Sequence, residues 1–332
     1  MRKKLPLTLI ICLIVLCSLN LLMVSSLAPQ LFWKQLFAWV IGTVLFVIGM
    51  QINPKQTKTQ GPLLLIISCV ILLLPIIIGN FTRGSRRWLY IGSMSLQPSE
   101  LVKAPLMLYL STTGQPLFHL IPVAIVMLQP DLGSAITILV LILPLIIYNK
   151  KLFKLSLILG IIFIILSPLA YRFILKDYQR QRIIHFLEPT SDPLGQGYNL
   201  IQSQIAIGSG GLFGKGYRKG TQAQLLFLPE KHTDFIFAAT TEELGFFAIA
   251  IILLSYFLII KTLLNQAYNT TNNLPLFLFT LGITFEIWAQ AFINISMNLG
   301  LLPVTGIPLP FMSVGGSSIM ALLFSLGIIS SA

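Results

Sequence analysis

Charged residues are scarce in this sequence. They make up 10% of its 332 residues, while 55% are hydrophobic. An average soluble domain carries about 25% charged residues, so this composition excludes an ordinary soluble fold. A helix that crosses hydrocarbon about 30 Å thick needs roughly 20 apolar residues, and apolar runs near that length recur along the chain. We therefore predict an all-α integral membrane protein.

Cysteine and histidine are also rare, with three of each. They are Cys12, Cys17, Cys69, His119, His185 and His232. The cysteines lie inside apolar runs without a CxxC pattern or a nearby histidine, which indicates helix packing rather than redox or metal chemistry. The histidines are far apart in sequence and do not support a zinc site.

The sequence also has no basic run interleaved with aromatic residues. Its formal net charge is nevertheless +12, and in a soluble protein that excess would suggest a nucleic-acid partner. Without such a run we expect no nucleic acid. The positive charge is predicted instead to orient the protein in its membrane and to contact anionic lipid headgroups.

Ten apolar windows predict ten transmembrane helices in one polytopic domain over residues 1–332. They cover residues 5–27, 31–50, 62–80, 97–110, 117–129, 132–148, 155–174, 235–260, 274–294 and 311–329. The first window follows a basic start and resembles a signal peptide, but its apolar core is too long and similar segments follow, which favours a retained span. The sequence shows no internal repeat, so an inverted-repeat transporter lacks support.

The distribution of basic residues bears on orientation. With the N-terminus in the cytoplasm, nine basic residues lie on the inner side and thirteen on the outer side, so the raw count favours the opposite arrangement. Long loops contribute little to this rule and the first helix usually dominates, so we predict a cytoplasmic N-terminus. The outer basic residues then need another explanation. They concentrate in residues 81–98 and in a long extracytoplasmic loop, residues 176–233, between spans seven and eight.

Acidic residues are confined to the later part of the chain, since none of the ten precedes Glu100. Acids in or beside membrane spans are costly and usually functional. The candidates are Glu100, Asp131, Asp234, Glu242, Glu243 and Glu286. Glu243 is predicted to pair inside the helix bundle.

Asp234 lies where the long loop ends and a helix begins, with Thr233 predicted as the N-cap. One interpretation is that its carboxylate complements the helix dipole. The other is that Asp234, flanked by Lys231 and His232, acts as a general base toward an external polar substrate. Local spacing leaves both interpretations open.

Three arginines and a tryptophan cluster at Arg83, Arg86, Arg87 and Trp88. A membrane anchor needs fewer cations, so the cluster favours an anionic ligand such as phosphate. Farther on, Glu100 and Lys103 share one helix face. They form either a structural ion pair or a phosphate site in which Glu100 orients Lys103.

The glycine-rich residues 208–216 lack the order of a P-loop, so nucleotide binding is not supported. We expect a tight turn that brings Lys215, Arg218 and Lys219 to a lipid headgroup. Residues 302–311 are rich in proline and predict a re-entrant connection, and residues 313–318 predict a helix start that packs closely on its neighbours.

Seven motifs together resemble the SEDS family (shape, elongation, division and sporulation) of bacterial cell-wall synthesis. They are GSRRWL at 84–89, QPSELVK at 97–103, QPDLGSA at 129–135, QSQIAIGSGGLFGKG at 202–216, FLPEKHTDFIFA at 227–238, EELG at 242–245 and GIPLPFMSVGGSS at 306–318. They occur in family order over nearly the whole chain. The form of the last motif and Lys231 before His232 resemble the elongation branch more than the division branch.

The resemblance implies a ten-span peptidoglycan glycosyltransferase in the cytoplasmic membrane. Such an enzyme polymerises lipid II on the extracytoplasmic side with a class B penicillin-binding protein as its transpeptidase partner. By motif, Asp234 matches the catalytic aspartate, Trp88 an important loop tryptophan, and Glu100 with Lys103 a cavity pair. Val314 departs from the family, which usually has tyrosine there.

The predicted substrate-binding residues are Trp88, Arg86, Arg87, Glu100, Lys103, Lys215, Arg218 and His232. The sequence establishes no cofactor; a divalent cation, Mg²⁺ or Mn²⁺, could assist the diphosphate leaving group through ligands that the sequence does not identify. Two alternatives remain: a flippase of lipid-linked precursors, and a non-catalytic scaffold for the penicillin-binding protein.

Overall fold

The computed structural model describes residues 6–79, 86–92, 94–173, 180, 184, 188 and 196–331. Arg83, His185 and most of the first half of the long loop lie outside these residues.

Apolar runs form the helices, which we number in chain order. The first nine are α1 (Leu7–Leu27), α2 (Phe32–Gly49), α3 (Gly61–Ile78), α4 (Pro98–Leu101), α5 (Lys103–Thr113), α6 (Leu120–Leu128), α7 (Leu132–Val140), α8 (Leu143–Tyr148) and α9 (Lys150–Phe173). The others are α10 (Gln196–Ser209), α11 (Thr221–Gln224), α12 (Ile236–Tyr268), α13 (Leu274–Leu299) and α14 (Gly316–Ile329).

Six helical segments in the described part of the chain are long and apolar enough to cross a membrane. They begin at Leu7, Pro29, Gly61, Lys150, Ile236 and Leu274. The predicted all-α membrane fold is therefore confirmed. The count of ten spans stays a prediction, because several of the predicted windows form shorter helices. Pro105 lies within α5, while Pro130 and Pro144 lie where neighbouring helices begin, and proline interrupts the backbone hydrogen bonding of a helix.

A short hairpin was not predicted. Strands β1 (Leu89–Ile91) and β2 (Met94–Leu96) pair antiparallel, with Leu89 opposite Leu96 and Tyr90 opposite Ser95. Trp88 immediately precedes this hairpin, which leads into α4.

Thr233 was wrongly predicted as the N-cap of the helix after the long loop. The helix after the long loop begins at Ile236 with Phe235 at the N-cap position, and Thr233 instead donates from Oγ1 to the backbone and side chain of Glu230. The last helix begins at Gly316, within the helix start predicted over residues 313–318 but five residues after the start of the predicted span 311–329. The backbone and side chains of Met312 to Gly315 hydrogen bond to other segments instead. α10 is a short helix inside the long loop.

The buried core lies along α12 and α13, whose inward faces contact each other and the helices around them. α1 packs on α12, and α14 packs on α2. α9 lies at the periphery, since its apolar window has no buried residue in the described part.

The crossing of α2 and α14 depends on two glycines. A Cβ at Gly49 would lie 2.5 Å from the Phe324 carbonyl oxygen, and one at Gly327 would overlap the Phe46 carbonyl oxygen. Small residues allow helix backbones to approach in membrane bundles, where packing replaces the hydrophobic drive.

We expect Gly327→Ala to separate α2 from α14 and to destabilise the protein by about 1–3 kcal/mol, the usual cost of overpacking. Gly160→Ala is the matched control, because a Cβ at Gly160 in α9 meets no atom within 4 Å. The comparison is the melting temperature of each variant in detergent. Equal melting temperatures would contradict the role of this crossing.

Candidate functional site

Four segments enclose a cavity of about 660 Å³. They are the start of α2, the hairpin after Trp88, the turn that precedes α12, and the start of α14. The polar residues in its lining are Lys34, Gln35, Trp88, Tyr90, Ser95, Glu230, His232 and Thr233. Trp88 and His232, two of the predicted substrate-binding residues, thus come together from distant parts of the sequence.

Asp234 lies next to this cavity, in the turn before α12. Its neighbour Thr233 lines the cavity, whereas Asp234 is half-buried beside the wall. Its Oδ2 is 3.6 Å from the position of a Cβ on Gly306, whose φ of 73° is left-handed. Only glycine adopts this conformation readily, so Gly306 lets the loop pass close to the carboxylate.

Two asparagines of α13 hold the backbone of Asp234. Asn294 and Asn298 donate from Nδ2 to the Asp234 carbonyl oxygen at 3.1 and 3.0 Å, and Asn294 also donates to the Ile307 carbonyl oxygen at 2.8 Å. Both asparagines are fully buried. Our prediction missed them, although amides four residues apart in an apolar helix are themselves a signal, because polar groups in membrane spans are costly.

The connection before α14 is joined to the same turn. Ser313 Oγ donates to the Thr233 carbonyl oxygen at 2.6 Å, and the Val314 N–H donates to the His232 carbonyl oxygen at 2.9 Å. Val314 therefore binds the turn through its backbone, which any residue can do, while its side chain lines the cavity.

Gln35 of the cavity lining belongs to a buried hydrogen-bonded cluster with Asn20 and Trp39, which our prediction also missed. Asn20 Oδ1 accepts hydrogen bonds of 2.9 Å from Gln35 Nε2 and from Trp39 Nε1, and Asn20 Nδ2 donates to the Met312 carbonyl oxygen. These bonds join α1, α2 and the connection before α14.

The two described arginines near Trp88 contact other parts of the protein. Arg87 Nη1 lies 3.6 Å from Asp131 Oδ1, and Arg87 also donates to the Pro130 carbonyl oxygen. Asp131 caps α7 by accepting from the Ser134 N–H at 3.1 Å. Arg86 is exposed and donates to the Ile76 carbonyl oxygen at 3.2 Å. Neither arginine lines the cavity, and their binding of substrate stays a prediction.

The predicted pair of Glu100 and Lys103 is present and has a third member. Lys103 Nζ lies 2.6 Å from Glu100 Oε1 and 3.3 Å from Glu286 Oε1. The three side chains are almost completely buried. The structure therefore confirms the ion pair between Glu100 and Lys103. Binding of phosphate by Lys103 stays a prediction.

The glycine-rich segment wraps around the two acids of α12. Lys215 Nζ lies 2.7 Å from Glu242 Oε1, which also accepts from the Gln222 N–H at 2.9 Å. Glu243 accepts from Ser26 Oγ at 2.6 Å, as its predicted pairing inside the bundle requires. Gly214 and Gly245 allow the two backbones to meet, and α12 is kinked at Gly245.

This arrangement differs from the expected headgroup contact. Lys215 is directed to Glu242, and Arg218 donates from Nη2 to the Ser25 carbonyl oxygen at 2.8 Å. Both side chains thus make internal contacts away from the cavity lining, and their contact with substrate stays a prediction.

Lys231 is held close to this region. Its Nζ donates to the Ala223 carbonyl oxygen at 2.5 Å. Burial lowers the pKa of the Lys231 ammonium from its ordinary value, and the charge of Glu243 offsets part of this effect. A buried lysine side chain therefore lies one residue before His232.

The described residues contain no group of three or more His, Cys, Asp or Glu side chains that could hold a metal ion. Binding of a divalent cation stays a prediction, and the chemistry considered below uses none.

The chain is similar to known proteins in both sequence and structure. The pattern of the FtsW, RodA and SpoVE cell cycle protein family matches residues 2–332. The peptidoglycan glycosyltransferase MrdB of Escherichia coli (strain K12) is 40% identical over 88% of this chain and 82% of its own length. A probable peptidoglycan glycosyltransferase FtsW of Geobacter metallireducens is 35% identical over 87% of this chain and 81% of its own.

Solved structures share the fold. A chain of a peptidoglycan synthase complex that coordinates polymerization and crosslinking superposes with a TM-score of 0.83 at 29% identity, over 97% of this chain and 95% of that chain. The crystal structure of the Thermus thermophilus rod shape determining protein RodA superposes with a TM-score of 0.70 at 25% identity, over 97% and 94%.

The contact between Lys215 and Glu242 gives a prediction. Lys215→Met leaves Glu242 without its cation, and loss of a hydrogen bond to a charged group costs roughly 1.5–3 kcal/mol. We expect a lower melting temperature for this variant. Lys219→Met, which removes an exposed lysine from the same segment, should melt like the wild type. Identical melting of all three proteins would show that the ion pair is not structural.

Proposed function

The chain belongs to the FtsW, RodA and SpoVE family of cell cycle proteins, and from this membership we infer that it is a peptidoglycan glycosyltransferase. The substrate is lipid II, the undecaprenyl-diphosphate disaccharide-pentapeptide, and the product is a glycan strand. The higher identity to MrdB than to the FtsW relatives supports assignment to the elongation branch, and hence a role in cell shape.

One observation carries the mechanistic proposal: Asp234 is a half-buried carboxylate beside a cavity whose lining includes a tryptophan, a histidine and a lysine. Trp88 offers an aromatic face to a sugar ring. Lys34 and His232 can interact with phosphate oxygens. The cavity volume of about 660 Å³ lies within the usual range of ligand sites, about 300–1,000 Å³.

In the proposed reaction Asp234 is the general base. Its carboxylate accepts the proton of the acceptor GlcNAc 4-hydroxyl as that oxygen attacks the anomeric carbon of the donor MurNAc. The bond from this carbon to the diphosphate oxygen breaks, and undecaprenyl diphosphate leaves with the electron pair. Configuration at the anomeric carbon inverts. The diphosphate needs no general acid, because it is stable as an anion. A cationic side chain of the cavity lining, Lys34, stabilises its charge.

The asparagines of α13 position this base. Their hydrogen bonds fix the carbonyl of Asp234, and the bonds from Ser313 and Val314 fix the two preceding residues. A base whose backbone is held in this way needs no change of backbone conformation to act, which lowers the entropic cost of reaching the transition state.

We further propose that the cavity opens on the extracytoplasmic side of the bacterial cytoplasmic membrane, with the N-terminus inside. The basic start of α1 and the cations of the long loop support this arrangement. A structural neighbour belongs to a complex that couples polymerization to crosslinking, which supports a class B penicillin-binding protein as the transpeptidase partner of this chain.

The test of the proposed base is Asp234→Asn, which keeps the size of the side chain and removes its basicity. General-base catalysis contributes about 10²–10⁴-fold, so we expect the rate of glycan formation from labelled lipid II to fall by at least about 100-fold. Glu188→Gln, which removes an exposed acid of the long loop, should polymerise normally.

Other outcomes of this assay identify the alternatives. Polymer formation by Asp234→Asn within a few-fold of wild type would contradict the proposed base. Translocation of lipid II across liposomes by a wild-type protein that makes no polymer would indicate a flippase. Normal rod growth supported by Asp234→Asn would indicate a scaffold.

The positioning role of Asn298 gives a separate prediction. Because an active-site displacement of about 1 Å can cost roughly 100-fold in rate, Asn298→Ala should lower kcat by about 10–100-fold and leave KM within about twofold. Thr284→Val is the control, since Thr284 is buried in α13 and bonds only to its own helix at Thr280. A change in KM without a change in kcat would contradict positioning of the base.

A further inference from the structure

A charged cluster in the interior joins the predicted pair of Glu100 and Lys103 to a third ionisable residue, Glu286. Lys103 on α5 lies between Glu100 on α4 and Glu286 on α13, with Nζ to Oε1 distances of 2.6 and 3.3 Å. The side chains of Lys103, Glu100 and Glu286 are 1%, 5% and 2% exposed. The cluster joins three helices inside the bundle.

The charges of this cluster do not balance. Two carboxylates and one ammonium sum to −1 when all are ionised. In the described part of the chain, Lys103 and Glu100 are the charged groups that interact electrostatically with Glu286. An uncompensated charge in a low-dielectric interior is strongly unfavourable, so the cluster requires one further positive charge.

Three oxygen atoms in the cluster or on the neighbouring Gln290 are candidates for binding this positive charge. Glu100 Oε2 and Glu286 Oε2 have no hydrogen-bond partner among the described residues. Gln290 lies one turn beyond Glu286 on the same face of α13 and is completely buried, yet neither its Oε1 nor its Nε2 has such a partner. Buried polar atoms are nearly always hydrogen bonded. Free oxygens on both carboxylates and on an adjacent amide indicate a bound ligand.

We propose that Glu100, Glu286 and Gln290 bind one monovalent cation in the protein interior, either a proton shared by the carboxyl groups or an alkali cation held by their free oxygens. Either ligand brings the cluster to neutrality. A divalent ion would leave the cluster with a net charge of +1. This inference does not depend on the proposed glycosyl transfer.

Infrared spectroscopy of the purified full chain in lipid nanodiscs distinguishes the two ligands. Spectra are recorded at neutral pH in potassium, sodium and choline chloride at equal ionic strength. For a bound proton, a carboxylic-acid C=O band is present in all three salts and is lost in Glu286→Gln, whereas Glu188→Gln retains it. Glu100→Gln provides a second variant that should also lose the band, should Glu286→Gln fail to fold.

For a bound alkali cation, the acid band is absent. The melting temperature is then higher in sodium or potassium chloride than in choline chloride, and this difference disappears in Glu286→Gln. Absence of both the acid band and the salt-specific shift in the wild-type protein would overturn the proposal. These measurements need no lipid II, so they fail or succeed independently of the proposed catalytic role of Asp234.

Discussion

Polar groups inside an apolar helix bundle must be satisfied within the protein, because hydrocarbon supplies no hydrogen-bond partners. The turn that carries Asp234 depends on this constraint. Its carbonyl groups accept from Asn294, Asn298, Ser313 and the backbone of Val314. Three segments, the turn itself, α13 and the connection before α14, are thereby joined at one point. An irregular backbone can persist beside membrane-spanning helices only with such partners, so the same bonds that complete the fold also hold the proposed base.

The helical membrane fold could be predicted from the apolar runs, because run length reports directly on the thickness of hydrocarbon. The ends of the helices were less predictable. Thr233 is a good N-cap by residue type, yet α12 starts at Ile236 because the backbone of residues 232–234 is engaged by α13 and by the connection before α14. The hairpin after Trp88 has only three residues in each strand, too few for an alternating pattern to be detected.

The sequence identified those residues of the candidate site that lie in motifs and belong to residue types rare in this chain. Trp88 and His232 line one cavity, and Asp234 lies beside it. The supporting residues were not found, because their partners are far away in sequence: Asn20 bonds Met312, and Asn298 bonds Asp234. For Lys215, by contrast, a sequence signal was present, but the observed contact differs from the expected one. Its glycine-rich setting resembles a ligand loop, but those glycines allow close approach to α12, where Lys215 meets Glu242.

We propose that the cavity beside Asp234 opens on the extracytoplasmic side, where lipid-linked substrate would be polymerised. Lys34 is exposed and lines this cavity, so Lys34→Cys, in a chain whose three native cysteines are replaced by alanine, reports on its side of the membrane. A membrane-impermeant maleimide applied to intact spheroplasts should label this cysteine. Labelling that occurs only after the membrane is permeabilised would place the cavity in the cytoplasm and contradict the account.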